Sequence, residues 1–153
     1  MGDIRVVAEN RKARHDYFIE ETVEAGLMLT GAEVKSLRDG RAQLKEAYVR
    51  IKNGEAWLVG CHISPYSHAS THTTPDPTRN RKLLLHRREL KRLIGLTERS
   101  GYTLVPLRLY FRKSWAKLEI GLARGKRKAD KREAIKQRTM AREAERAIRD
   151  RNR

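Results

Sequence analysis

The stretch YFIEETVEAGLML, residues 17–29, carries the pattern that decides the fold. Apolar side chains recur at every second position and are interrupted once, at Glu21. The positions on this apolar face are Tyr17, Ile19, Val23, Ala25, Leu27 and Leu29. The opposite face carries Glu20, Thr22 and Glu24. A period of two predicts a β-strand with one buried face, and Gly26 is where so long a strand can bend.

The same alternation returns further along the chain. One repeat surrounds a turn at Asn53-Gly54, with Val49 and Ile51 before it and Trp57, Val59, Cys61 and Ile63 after it. This arrangement predicts a β-hairpin with its apolar face on those residues. Two more runs alternate over residues 103–111 and 116–122. Pro106 lacks a backbone donor, so it predicts an edge position or a bulge in the first run.

Two short helices and one long loop separate the predicted strands. Thr30 followed by Glu33 is a capping box, which predicts a helix with Val34 and Leu37 toward the core and an end at Gly40. Glu33 is therefore assigned a structural role. A second helix is predicted from Arg87 to Ile94, ended by Gly95. Residues 64–81 hold three prolines among many Ser, Thr and His residues and are predicted to be a loop.

Together these elements predict a mainly β protein with short helices. About six strands, each with one polar face, fit a small closed β-barrel of the oligonucleotide-binding type. We divide the chain into an extended basic N-terminal arm (residues 1–15), the barrel (residues 16–123) and a basic tail (residues 124–153).

The chain is strongly basic, with 35 Lys and Arg residues against 19 Asp and Glu residues and a net charge of +16. The tail holds 13 of those basic residues and 5 of the acidic ones, so a fifth of the chain carries half of the excess charge. It has no Phe, Tyr, Trp or Leu, and we expect it to be disordered when free and helical on a bound surface. Such charge favours a polyanionic partner, and nucleic acid before a membrane.

Several classes of protein are excluded by what the sequence lacks. Cys61 is the only cysteine, so no intrachain disulfide can form. No apolar stretch suits a signal peptide or a membrane span, so a cytoplasmic protein is expected. The residues that invite comparison with a zinc site match no finger spacing: Cys61, His62, His68, His72 and His86. Because paired acids and a phosphate-binding glycine loop are also missing, we expect no enzyme activity, no metal and no cofactor.

Four segments, in this order along the chain, resemble those of the small protein B family. They are residues 10–15 with 17–21 (NRKARH, YFIEE), residues 29–38 (LTGAEVKSLR), residues 76–85 (DPTRNRKLLL) and residues 125–132 (GKRKADKR). The resemblance implies binding to the transfer-RNA-like domain of transfer-messenger RNA and its delivery to stalled ribosomes. It also implies indirect contact, through the RNA, with alanyl-transfer-RNA synthetase and elongation factor Tu. A monomer is expected.

The resemblance also implies which residues bind. In the body, the RNA-binding positions are Asn10, His15, Glu24, Leu84 and Lys117. In the tail, the ribosome-binding positions are Gly125, Asp130, Lys131 and Arg132. The family commonly has His immediately before the Asp-Lys-Arg triplet, and this chain has Ala129, which cannot stack on a base.

Some alternatives stay open on the sequence alone. Leu84 lies between two other leucines and suits either the core or an RNA contact. Trp115, beside a basic turn, is equally open between packing and base stacking. The rival functions are a ribosomal or other ribosomal-RNA-binding protein of similar fold, and an RNA-processing enzyme, which the missing carboxylate cluster argues against.

Overall fold

The computed structural model describes residues 3–65 and 76–125, in which nine strands and three helices form. In chain order these are β1 (Ile4–Glu9), α1 (Arg11–Asp16), β2 (Tyr17–Leu27), α2 (Gly31–Arg38), β3 (Ala42–Gln43), β4 (Tyr48–Lys52), β5 (Glu55–Val59), β6 (His62–Ile63), β7 (Arg81–Leu84), α3 (Arg87–Arg99), β8 (Thr103–Arg112) and β9 (Trp115–Gly125). The predicted mainly β class with short helices is confirmed. The prediction for the tail falls on residues 126–153 and lies outside the described residues.

Seven of the strands form one antiparallel sheet in the order β1-β8-β9-β2-β7-β5-β4, and β3 pairs with β6. The predicted closure into a barrel is not confirmed, because no ladder joins β1 to β4 in the described part of the chain. Strand β4 approaches β8, with Cα atoms within 8 Å. Strand β1 covers the outer edge of β8 only from Arg108 to Arg112, and the start of β8 lines a pocket with Tyr48 and Val49 of β4 without a ladder between the two strands.

The segment predicted as an extended arm is built into this sheet. Strand β1 pairs antiparallel with β8, from Ile4 opposite Arg112 to Glu9 opposite Arg108. Helix α1 follows at once, and the Asn10 side chain caps it by accepting from the Ala13 backbone N–H. The arm prediction missed both elements because six residues of each carry too little periodicity to be recognised.

Two β-bulges reverse the faces of the long strands β2 and β8. The pairing register shifts between Ile19 and Glu21 in β2 and between Pro106 and Arg108 in β8. A bulge inserts one residue, so the side chains beyond it point to the opposite face. The bulge predicted at Pro106 is confirmed. The prediction that Tyr17 and Ile19 share the face of Val23 is wrong, because the bulge in β2 lies between them.

The apolar residues consequently form two clusters on opposite faces of the sheet. The main core contains Ala25, Leu27, Leu58, Leu83, Leu109, Phe111, Leu118 and Ile120, among others. A smaller cluster on the other face lies under α1 and contains Ala13, Val105, Leu107 and Ala123, packed by Tyr17 and Ile19. We call the face that carries this second cluster the outer face.

The predicted hairpin is confirmed, and its turn has the left-handed backbone that Asn-Gly favours, with φ of 52° at Asn53 and 73° at Gly54. Its predicted buried face is wrong within β5, where the buried side chains are Ala56 and Leu58 rather than Trp57 and Val59. Gly60 breaks the alternation with φ of 77°. Residues after it therefore change phase, and Cys61 and Ile63 are buried as predicted.

Both predicted helices are present. The capping box of α2 is complete, and Gly40, with φ of 73°, follows its end. Helix α3 begins at Arg87 as predicted but continues past Gly95 to Arg99, so the predicted end at Gly95 is wrong. A glycine inside a helix is tolerated at a cost of about 1 kcal/mol. None of the described helices is long and apolar enough to cross a membrane.

A buried ionic cluster joins α2 to β7, a second strand that the sequence pattern did not predict. The Glu33 carboxylate lies 2.6 Å from Arg81 Nε and 2.6 Å from Arg79 Nη2, and it accepts from the Thr30 backbone N–H. The Arg81 side chain is fully buried and also donates to the Cys61 and Pro77 carbonyls. Burial opposes the charge of Glu33, but the bonds from Arg79, Thr30 and Arg81 outweigh it and hold the pKa of Glu33 below its ordinary value.

The cluster predicts a large loss of stability for Glu33→Gln. This change keeps the side-chain shape but leaves the Arg81 charge buried without a counter-charge. We expect the free energy of unfolding to fall by roughly 3–5 kcal/mol, measured by urea denaturation at neutral pH. The matched control is Glu55→Gln, whose partner Lys82 is on the surface, with an expected loss of at most about 1 kcal/mol. Equal losses in the two variants would contradict the role given to Glu33.

The same cluster predicts how the difference in stability between the native chain and Glu33→Gln depends on pH. Because the pKa of Glu33 is lowered by folding, its contribution is fully present above the ordinary carboxyl value of 4.5 and is lost as the pH falls through the lowered pKa. The gap in stability between the native chain and Glu33→Gln should therefore narrow only in acid. A gap that narrowed between pH 6 and 8 would point to another group.

Candidate nucleic-acid interface

The outer face of β2, β8 and β9 is divided in two by the bulges. Helix α1 covers the apolar half, while the other half remains open to solvent. The open half carries Thr22, Glu24 and Gly26 from β2, Arg108, Tyr110 and Arg112 from β8, and Trp115, Lys117 and Glu119 from β9. We call these nine residues the open half-face.

Cross-strand register sets the neighbours within the open half-face. Glu24 lies opposite Glu119, which lies opposite Arg108 on the next strand. The next row runs from Tyr110 through Lys117 to Gly26, and Gly26 is also paired with Leu84 of β7. Residues far apart in the sequence therefore meet on one surface.

Glu24 is held at the centre of this surface by hydrogen bonds from β8. Its Oε2 atom accepts from the Tyr110 hydroxyl at 2.5 Å and from Arg112 Nε at 3.0 Å. Partial burial would raise the pKa of Glu24, but the bonds from Tyr110 and Arg112 and the nearby Lys117 charge outweigh it and lower that pKa. Glu24 is thus a carboxylate fixed by hydrogen bonds and not a freely solvated side chain.

A second ionic group neutralises the other carboxylate. Glu119 accepts from Arg108 at 2.8 Å and from Arg14 of α1 at 3.2 Å. Two like charges directly opposite would otherwise destabilise the pair of strands at Glu24 and Glu119. The Arg108 and Arg112 guanidinium groups also lie over the Tyr110 ring, at 5.3 Å and 5.9 Å from its centroid.

Exposed apolar side chains border the open half-face along a groove of about 1300 Å³ that continues toward α3. Trp115 is 70% exposed and Leu84 is 48% exposed, so neither belongs to the core. Gly26 makes room for Leu84, since a Cβ atom at this position would lie 3.2 Å from the Leu84 Cβ. The far wall is fixed by Arg92 of α3, which forms a bidentate bond to Glu21.

This arrangement has the parts that RNA recognition needs. Lys117 forms no ion pair within the described residues, so its charge is available to a phosphate. Trp115 offers a ring for base stacking, and Leu84 offers an apolar contact. Glu24 can accept from base amino or ribose hydroxyl groups while repelling phosphate.

Three of the five predicted body residues, Glu24, Leu84 and Lys117, are brought together on this surface. Asn10 and His15 are not. Asn10 is buried, and its amide serves the fold by capping α1 and donating to the Pro106 carbonyl. His15 is on the exposed side of α1, with Nδ1 3.1 Å from Asp16.

The structure reaches only the first of the predicted tail residues. Gly125 is the last residue of β9 and is paired with Tyr17, so the body extends slightly beyond the predicted boundary at residue 123. Asp130, Lys131 and Arg132 lie outside the described residues.

Sequence reasoning missed Tyr110, Arg112 and Glu119 as parts of this surface. The signal was present, because Arg108, Tyr110 and Arg112 alternate with apolar residues along one predicted strand. Register was needed to show that this polar face meets Glu24, and register follows from strand order and bulges rather than from one strand's pattern.

Comparison with known proteins finds similar proteins that align with nearly the whole length of this chain. The SsrA-binding protein of Roseiflexus castenholzii is 62% identical over 99% of this chain and 96% of its own length. That of Geobacillus thermodenitrificans is 55% identical over 98% of this chain and 96% of its own. A solved structure described as "tmRNA-SmpB: a journey to the center of the bacterial ribosome" covers 83% of this chain and 92% of its own, with 50% identity and a TM-score of 0.65.

The family model described as SmpB protein matches residues 7–150. This range includes all three helices, the open half-face and most of the basic tail. With that match and these relatives, the chain belongs to the SmpB (small protein B) family.

Proposed function

We propose that this chain is a non-enzymatic RNA-binding protein that binds the transfer-RNA-like domain of transfer-messenger RNA and delivers it to stalled ribosomes. The observation that carries the proposal is the convergence of Glu24, Leu84 and Lys117, from three different strands, around one open surface. Relatives of this length and similarity are SsrA-binding proteins, and SsrA is transfer-messenger RNA.

On this surface each residue contacts a different chemical group of the RNA. Lys117 contacts phosphate, which supplies affinity that depends on salt. Trp115 and Leu84 contact an unpaired base and its sugar, because RNA is recognised mainly through shape and unstacked bases. Glu24 excludes phosphate from its own position and so fixes how the RNA lies across the strands.

The body and tail have separate tasks in this proposal. The body takes the place of the missing lower half of a transfer RNA. The tail, with Gly125 at its base and Asp130, Lys131 and Arg132 as its contacts, enters the empty messenger channel near the small-subunit decoding region. Since Ala129 has no ring, charge rather than stacking holds this part of the tail. The protein acts as a cytoplasmic monomer that meets alanyl-transfer-RNA synthetase and elongation factor Tu only through the RNA.

Sequencing the RNA that co-purifies with the full-length chain tests the proposal directly. Transfer-messenger RNA should be enriched far above its share of cellular RNA. Recovery of ribosomal RNA alone would favour the alternative of a ribosomal-RNA-binding protein and contradict the proposal.

Salt dependence tests the role of Lys117. Lys117→Ala should flatten the slope of log K against log salt concentration by about 0.7 to 0.9, the value for one phosphate contact. Binding of the isolated transfer-RNA-like domain is measured between about 50 and 200 mM salt, a range over which counterion release changes affinity strongly. The control is Lys52→Ala, an exposed cation at the end of the hairpin, which should leave the slope unchanged. An unchanged slope in the Lys117 variant would remove Lys117 from the interface.

Leu84→Ala tests the apolar contact. Because Leu84 is half exposed, its loss should weaken RNA binding without changing the salt slope and with little change in the melting temperature. The matched control, Leu83→Ala, removes a buried neighbour and should lower stability by about 2–5 kcal/mol. If Leu84→Ala destabilised the fold as much as Leu83→Ala, Leu84 would belong to packing and not to the interface.

The division between body and tail is tested by a chain ending at Gly125, which keeps all of β9. This chain should bind the transfer-RNA-like domain and fail to support tagging of stalled proteins. Binding is measured by filter retention and tagging in a reconstituted translation system. Loss of RNA binding at moderate salt would show that the tail is the main RNA anchor.

A further inference from the structure

We propose that Tyr110 is a positioning residue for RNA recognition, which, together with Arg112, occupies one oxygen of Glu24 and directs the other toward a neutral donor group of the RNA. This inference rests on the proposed function and adds to it. It assigns a role to a residue of β8 that no family motif in the sequence pointed to.

The bonds to Glu24 are one-sided. The Tyr110 hydroxyl, at 2.5 Å, and two nitrogens of Arg112, at 3.0 and 2.9 Å, all reach the same atom, Oε2. The other atom, Oε1, has no hydrogen bond among residues 3–65 and 76–125, and the Glu24 side chain is 35% exposed. The carboxylate therefore has one oxygen held by β8 and one that no described residue bonds.

Tyr110 is suited to hold this geometry because it is itself rigid. It is only 4% exposed, although it is on the outer face, and the guanidinium groups of Arg108 and Arg112 both lie over its ring. Its hydroxyl extends over β9 to reach β2, since β9 lies between the two strands. Burial, followed by the bond to Glu24, raises the pKa of Tyr110 to about 12, so the phenol remains a donor throughout the physiological range.

The unbonded oxygen, Oε1, selects the chemistry of its ligand. A carboxylate that is ionised and already bonded on one side can accept an N–H or O–H group but repels a phosphate. In RNA such donors are the amino groups of bases and the ribose 2′-hydroxyl. The charged and titratable groups that face Glu24 are Tyr110 and Arg112 from β8 and Lys117 and Glu119 from β9.

A double-mutant cycle between Tyr110 and Glu24 tests the inference. Binding of the transfer-RNA-like domain is compared for the native chain, Tyr110→Phe, Glu24→Ala and the double variant. We expect Tyr110→Phe to weaken binding by about three- to tenfold, the effect of one charge-assisted hydrogen bond. In the Glu24→Ala background the same change should have no further effect, because Tyr110 acts only through Glu24. An equal loss in both backgrounds would overturn the inference.

The pH dependence of RNA affinity provides a second test, because a residue that only stabilised the fold would not change it. Tyr110→Phe removes one of the bonds that lower the pKa of Glu24. RNA affinity should therefore begin to fall at a higher pH in the variant than in the native chain as the solution is acidified. Tyr48→Phe is the matched control, because Tyr48 is exposed and its hydroxyl has no hydrogen bond in the described structure. If RNA affinity fell at the same pH in the native chain and in Tyr110→Phe, the inference would be overturned.

Two further experiments, one with a replacement variant and one with a modified RNA, complete the test. If Tyr110→Phe lowers the melting temperature enough to obscure binding, Arg112→Lys replaces it in the cycle, since it keeps the charge but loses the Nε bond. RNA with 2′-deoxy substitutions identifies the donor group. If Glu24→Ala no longer weakens binding of this RNA, the donor is a ribose hydroxyl. If Glu24→Ala weakens its binding as before, the donor is a base amino group. Failure of the native chain to bind would refute the proposed function itself, whereas native binding without coupling would refute only this inference.

Discussion

The buried carboxylate of Glu33 is the constraint on which the arrangement of this protein depends. It closes the start of α2 through Thr30 and holds the fully buried Arg81 at the start of β7. A buried ion pair adds little net stability over apolar packing, but it fixes which elements meet. Here it anchors β7, whose other end pairs with β2 and places Leu84 beside Gly26. The position of the candidate interface therefore follows from an interaction in the interior.

The two bulges in β2 and β8 determine how the outer face of the sheet is divided. Without them, the outer faces of β2 and β8 would be uniform along their length. With them, one half becomes an apolar seat for α1, and the other half collects the charged side chains. The like charges of Glu24 and Glu119 can lie opposite one another because each is paired with its own arginine from β8. The open half-face thus carries an ordered set of paired charges together with Lys117, which suits a shape-specific RNA site.

Local patterns predicted the parts of this fold that depend on local chemistry. The Asn53-Gly54 turn and the capping box at Thr30 were visible because the residues that form them are adjacent in sequence. The reversal of faces at Ile19 was not predicted, because a bulge depends on the partner strand. Strand β7 was not predicted, and its first residue, Arg81, was placed at the end of the predicted loop, because burial of Arg81 depends on a carboxylate 48 positions away. Glu24, Leu84 and Lys117 came from resemblance, whereas their convergence and the contribution of Tyr110 required the register.

RNA binding across the open half-face of β2, β8 and β9 can be followed through backbone amide chemical shifts while the isolated transfer-RNA-like domain is added to the full-length protein. We expect perturbations concentrated at Glu24, Tyr110 and Trp115 to Glu119, together with the end of β7 at Leu84. Perturbations confined to the groove between α1 and the start of β4, around Lys45 and Tyr48, with an unaffected open half-face would contradict this binding mode.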